Sequence, residues 1–113
     1  MKKSHSQERN GLSVFTRNVL DVVSSIPWGH VMSYSDVATL AGNPRGARQV
    51  SRILHSMSRK YGLPWHRVIS AQGKISLPPG RGYERQKAML ESEGIYMSST
   101  GKIVLEDGAD NRP

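Results

Sequence analysis

Residues Pro64-Trp65-His66-Arg67-Val68-Ile69 read like the setting of a nucleophile, yet no nucleophile stands among them. The chain contains no cysteine at all, which excludes thiol chemistry, a disulfide framework and thiolate metal ligation. Trp65 cannot substitute for a thiolate. The lone pair of its indole nitrogen is delocalised and its N–H only donates, so it is not a nucleophile. His5, His30 and His55 are scattered without ligand spacing, so no metal site is expected. No glycine-rich loop follows a strand in the way a nucleotide phosphate requires, so no ATP or other cofactor is expected either. By residue type alone Trp65 reads as a core tryptophan, and Trp28 in Pro27-Trp28-Gly29 as a packing or loop residue.

The charge is concentrated around this segment. The formal net charge is +7, and no acidic residue occurs between Asp36 and Glu84, an interval holding Arg45, Arg48, Arg52, Arg59, Lys60, Arg67, Lys74 and Arg81. Such a one-signed stretch repels itself unless a polyanion is its partner, and a phosphate backbone is the common case. A solvated basic face would give the same count.

The elements that must position these residues are mostly helical. At 113 residues and 36% apolar composition the chain suits one domain with a modest core. No stretch is apolar enough to span a membrane and Met1–Asn10 lacks a signal peptide's apolar run, so a cytoplasmic protein without membrane partners is expected. Phe15, Val19, Val22, Val23 and Ile26 recur at helical spacing, which predicts a helix over 13–25 stopped by Pro27. Ser33-Tyr34-Ser35-Asp36 fits a capping box, with the Ser33 hydroxyl and the Asp36 carboxylate serving the free amides of a two-turn helix that ends at Gly42. Asn43-Pro44-Arg45-Gly46 turns the chain. A helix over 47–58 follows, with Ala47, Val50, Ile53, Leu54 and Met57 inward and Arg45, Arg48, Arg52 and Arg59 outward. Two helices joined by a short glycine-containing turn, the second basic outside, have the pattern of a helix-turn-helix, though a plain helical hairpin with solubilising arginines shares it. Further on, 66–70 and 74–77 around Ala71-Gln72-Gly73 predict a hairpin or looped pair, and 83–93 a last helix closed by Gly94. Two short strands around Ser99-Thr100-Gly101 follow. Residues 1–11 and 107–113 are expected to be disordered tails flanking one domain over 12–106.

The run Ile26-Pro27-Trp28-Gly29-His30-Val31-Met32-Ser33-Tyr34, then Ala47-Arg48-Gln49-Val50, then Pro64-Trp65-His66-Arg67-Val68-Ile69, then Glu93-Gly94 closely resembles the C-terminal DNA-binding domain of O6-alkylguanine-DNA alkyltransferases over roughly residues 12–105. Those enzymes carry cysteine where Trp65 stands, and the tryptophan form marks the alkyltransferase-like proteins. The resemblance implies a mainly α fold with small β elements, a winged-helix-like helix-turn-helix domain. It implies a non-enzymatic sensor that binds O6-alkylguanine in duplex DNA through the minor groove, flips the base into a pocket and flags it for nucleotide excision repair proteins. It also implies competition with true transferases for the same lesions. His66 and Glu93, the transferases' activating pair, would remain as a structural hydrogen-bonded pair.

By the same resemblance Arg48 fills the vacated base stack and Tyr34 pushes the phosphate that rotates the nucleotide. The small residues Ala47 and Ser51 let the helix lie close in the groove, and Arg52 joins the DNA-binding set. Tyr34, Trp65, Val68 and Arg81 would line the lesion pocket, with backbone near Trp65 and Val68 reading the guanine edge. Two departures stand out: the Pro78-Pro79-Gly80-Arg81 loop differs from the transferases' serine- and glycine-containing segment, and Met57 stands where they place an asparagine. A monomer is expected. The readings from other classes are a generic helix-turn-helix regulator, which would prefer a base sequence and act as a dimer, and a glycosylase using Glu93 or His66.

Overall fold

Three helices meet around one apolar cluster because their valines, leucines and isoleucines recur on one side. The structure, a computed structural model, describes residues 11–105, so both expected tails lie outside the described residues apart from Gly11. Helix α1 (Val14–Ser24) starts where Ser13 Oγ accepts the Thr16 N–H at 3.0 Å, and stops at Ser25, two residues before Pro27. Its Val19, Leu20 and Val23 are fully buried. Strand β1 (Met32–Ser33) leads into helix α2 (Tyr34–Leu40), whose cap is Ser33 Oγ accepting the Asp36 N–H at 3.0 Å. Asp36 itself is exposed and supplies only that N–H, so the expected capping box is half formed. The turn then passes so close to α1 that a Cβ on Gly46 would lie 2.8 Å from Phe15 Cζ. A side chain there would also sit 3.1 Å from the Asn43 carbonyl, so a larger residue would have to shift the Phe15 ring.

Helix α3 (Ala47–Tyr61) buries Val50, Ile53 and Leu54 against α1 and α2. It runs three residues beyond the predicted end, because Arg59 and Lys60 suit the negative end of the helix dipole and no breaker comes before Gly62. Gly62, at φ 60°, then takes the left-handed cap. The α2–turn–α3 unit has the expected helix-turn-helix layout.

Of the expected hairpin or looped pair over 66–70 and 74–77 only the loop forms, with the Ser70 N–H donating to the Lys74 carbonyl and the Gly73 N–H to the Ser70 carbonyl, both at 2.9 Å. Trp65–Arg67 is a single 3-10 turn, and strand β2 (Val68–Ile69) pairs in parallel with β1, Met32 opposite Val68 and Ser33 opposite Ile69. Val68 and Ile69 are both buried, and such an apolar pair fits a ladder covered on both faces better than a half-exposed hairpin. Lys74 bridges to Lys102 instead. Helix α4 (Tyr83–Glu91) is shorter than predicted: the chain leaves it at Ser92, and Glu93 is buried among polar partners. Strands β3 (Ile95–Met97) and β4 (Ile103–Leu105) form the predicted antiparallel pair. A second small core, Ile69, Ile75, Leu90 and Ile95, joins them to α4. The architecture is mostly helical with small sheets. Among the described residues no helix is long and apolar enough to cross a membrane.

Candidate nucleic-acid interface

The motif segment is held in shape from both ends. Pro64, at φ −78° and ψ 64°, forms an inverse γ-turn in which the Trp65 N–H donates to the Leu63 carbonyl at 2.8 Å. The Arg67 N–H then reaches the Pro64 carbonyl at 3.0 Å, closing the 3-10 turn. Gln86, on the core side of α4 and only 1% exposed, donates from Nε2 to the carbonyls of His66 (2.9 Å) and Val68 (3.1 Å). Two backbone acceptors inside the protein are thereby satisfied.

Beneath the turn lies a buried ionic cluster. Glu93 Oε2 meets His66 Nε2 at 2.7 Å and Arg67 Nη2 at 2.8 Å. Its Oε1 accepts from Arg67 Nε at 3.0 Å and from the Gly29 N–H at 2.8 Å. Arg67 Nη1 also donates to the Ile26 carbonyl at 2.9 Å, so the segment 26–29 is tied to the motif. Burial opposes ionisation of Glu93, but the Arg67, His66 and Gly29 donors outweigh it and lower the carboxyl from 4.5 to about 2. With a carboxylate on Nε2, that nitrogen carries the proton, while Nδ1 is buried without a hydrogen-bond partner. The expected His66–Glu93 pair is present. Arg67, which sequence reasoning left without a role, grips the same carboxylate with two nitrogens.

A cavity of about 610 Å³ opens beside the turn. Tyr34, first residue of α2, and Trp65 supply aromatic walls, and Leu77, Pro78 and Arg81 supply the loop side. Helix α3 contributes Ser51, His55, Ser58 and Arg59. Trp65 is half-buried and stands edge-on to the His66 ring, 6.2 Å between centroids at 84°. The Tyr34 hydroxyl accepts from Ser76 Oγ at 3.4 Å. Tyr34, Trp65 and Arg81 are therefore brought together as expected, but Val68 is not on the wall. Its side chain is fully buried in the core, its N–H is bonded to the Trp65 carbonyl and its carbonyl to Gln86. The pairing of β2 with β1 turns it inward.

Arg48 and Arg52 are exposed on α3 and, with Ala47 and Arg45, line a second cleft of about 590 Å³ at the start of that helix. Positions 48, 52, 55 and 59 follow one another at helical spacing, so a single exposed stripe of α3 runs from this cleft to the cavity. Ser51, expected beside Arg48 on the groove-facing side, is exposed and lines the cavity. Among the described residues no group of three histidine, aspartate or glutamate side chains is placed to hold a metal ion.

Residues 14–95 match the family model of the 6-O-methylguanine DNA methyltransferase DNA-binding domain. The chain is 45% identical over 92 residues to the DNA base-flipping protein of Escherichia coli, covering 81% of this chain and 70% of that one. It is 40% identical over 94 residues to alkyltransferase-like protein 1 of Schizosaccharomyces pombe, covering 80% and 87%. The chain belongs to the alkyltransferase-like family. A crystal structure of the S. pombe protein in complex with damaged DNA containing O6-carboxymethylguanine superposes with a TM-score of 0.68 at 40% identity, over 80% of this chain and 87% of that one. The Mycobacterium tuberculosis alkyltransferase in complex with DNA gives 0.61 at 32% identity, over 72% of this chain and 49% of that one. The family's fold thus accounts for the helix-turn-helix and the turn that carries Trp65.

Sequence reasoning missed Gln86, His55, Ser58, Arg59 and Arg85 as parts of this alkyltransferase-like site. Gln86 had a signal: it lies at helical spacing between Tyr83 and Leu90, a polar residue on an apolar stripe. The others needed the fold, because α3 and the loop before α4 meet only in three dimensions.

Proposed function

We propose that this protein is a non-enzymatic sensor of O6-alkylguanine in duplex DNA. Helix α3 lies in the minor groove, Arg48 occupies the space left in the base stack, and Tyr34 presses on the phosphate of the rotated nucleotide. The extruded base enters the 610 Å³ cavity against Trp65. A planar guanidinium suits this role, since it stacks on neighbouring bases while bonding the orphaned partner. Extrusion costs on the order of a few kcal/mol and least for a weakly paired base, so an alkylated guanine is already easier to flip than a normal one.

The observation that carries the reading is Trp65 on the cavity wall in a chain without cysteine. A flipped base meets an apolar aromatic surface and no thiolate, so it is held and its alkyl group stays in place. His66 and Glu93 act as scaffold. A carboxylate that accepts from His66, Arg67 and Gly29, and titrates at about 2, is a poor general base, which weighs against a glycosylase. The retained lesion then marks the site for nucleotide excision repair proteins, with the sensor acting as a cytoplasmic monomer.

The test is equilibrium binding by fluorescence anisotropy, at one stated salt concentration, to matched duplexes with and without a single O6-methylguanine. The lesion duplex binds tighter, the preference collapses in Arg48→Ala, and mass spectrometry of recovered DNA shows the methyl group still on guanine. Equal affinity for both duplexes would refute the sensor and favour a generic helix-turn-helix binder.

A further inference from the structure

The cavity carries more positive charge than holding a neutral purine requires. Arg59, Arg81 and Arg85 all line it, and no aspartate or glutamate does. None of the three takes part in an ion pair among the described residues. Nearby carboxylates are engaged elsewhere: Glu84 accepts from the Gly80 N–H at 2.9 Å, Glu91 pairs with Lys87 at 3.1 Å, and Glu93 is held by Arg67. Arg81 and Arg85 flank the start of α4, where the helix dipole is itself positive and Glu84 is the one acidic residue of the first turn. Arg59 faces the same space from the last turn of α3. One neutral donor adds to them: Ser58 also lines the cavity, and its Oγ is buried without a hydrogen-bond partner, although helical serines commonly return that bond to their own backbone, as Ser56 does to Arg52.

We propose that Arg59, Arg81, Arg85 and the Ser58 hydroxyl form an anion subsite within the cavity, so that this protein selects O6-substituents bearing a negative charge, such as a carboxylate, over neutral ones of equal size. The inference rests on the lesion-binding reading above. The anion could also be a backbone phosphate of the flipped nucleotide, and the two sources separate cleanly. A phosphate is present in every duplex, whereas a substituent's charge can be removed alone. Guanidinium pairs with a carboxylate through short charge-assisted bonds, and a partly exposed pair of this kind corresponds to about tenfold in affinity.

Four duplexes decide it: unmodified, O6-methylguanine, O6-carboxymethylguanine, and its neutral isostere with a carbamoylmethyl group. At one fixed salt concentration, the wild-type protein binds the carboxymethyl duplex about tenfold tighter than the carbamoylmethyl duplex. Arg81→Gln combined with Arg85→Gln, both at exposed positions, reduces that ratio below about threefold while both modified duplexes still outbind the unmodified one. A wild-type ratio near one, with the methylated duplex still preferred over the unmodified, would overturn the anion subsite and leave the sensor intact. A ratio that survives the double variant would overturn the subsite by removing Arg81 and Arg85 from charge selection, and an equal drop for all four duplexes would assign them to the DNA backbone and overturn it as well. Absence of preference for any modified duplex would remove both readings.

Discussion

Replacing Glu93 with glutamine should destabilise this domain more than any other single-atom-scale change in the site. A carboxyl lowered from 4.5 to about 2 corresponds to about 3 kcal/mol of stability, at about 1.4 kcal/mol for each tenfold. Because the folded value is the lower one, the contribution is complete above 4.5 and is lost as pH falls from there towards 2. At pH 3 about half of it remains. In Glu93→Gln the amide turns an N–H₂ towards donors and leaves Arg67, whose side chain is 15% exposed, without a compensating charge. For a domain of this size that loss lowers the melting temperature by roughly 10–20 °C at pH 7. Urea unfolding followed by circular dichroism, on both proteins at pH 7 and pH 3, measures it. The wild type should lead by about 3 kcal/mol at pH 7 and by about half that at pH 3, other carboxylates cancelling between the two proteins. A difference below about 1 kcal/mol at pH 7, or one unchanged by acidification, would refute the argument.

Gln86→Leu strands the buried carbonyls of His66 and Val68 and should cost about 1–3 kcal/mol in the same urea experiment; a neutral result would mean water replaces the amide. Gly82→Ala combines a φ of 116° with a Cβ 2.7 Å from Leu77 Cδ1, so a loss of about 1–3 kcal/mol and weaker lesion binding are expected together. In Trp28→Phe the remaining indole is Trp65, and its emission should change when an O6-methylguanine duplex binds, whereas Trp65→Phe, leaving only Trp28, should stay nearly silent. Ser33→Ala removes the α2 cap and should lower stability by about 1 kcal/mol in a thermal melt.

Much of the helical frame was legible because it is written in local chemistry: Ser33 as a cap, Pro27 as a stop, valines and leucines at helical spacing, whereas Ser13 as the cap of α1 and Gly62 as the stop of α3 went unread. The antiparallel pair around Ser99-Thr100-Gly101 was readable for the same reason. What escaped was long-range. Nothing near Val68 says that it pairs with Met32, so Val68 was placed on the cavity wall when the ladder turns it into the core. Arg67 looked like one more cation in a basic stretch, and its grip on Glu93 depends on a chain reversal 26 residues later. The family resemblance implied Tyr34, Trp65 and Arg81 as neighbours, but Arg59 and Arg85 enter the cavity only through the packing of α3 against the segment before α4.

The two sides of the cavity are built differently. The α3 side and the Trp65 turn are backed by the core and by buried bonds from Gln86 and Glu93. The opposite side, residues 76–81, is anchored by Leu77 on the second small core, while Ser76 and Pro78–Gly80 are exposed and rest on hydrogen bonds from Ser76 to Tyr34 at 3.4 Å, Gly80 to Glu84 at 2.9 Å and Arg81 to Pro78 at 3.0 Å. Segments with that kind of support open locally at a small fraction of the global unfolding free energy. On the lesion-binding reading proposed above, a bulkier guest would press first on the exposed stretch Pro78–Gly80 and leave the aromatic wall where it is, so the size limit would be set by how far that stretch yields rather than by the volume at rest.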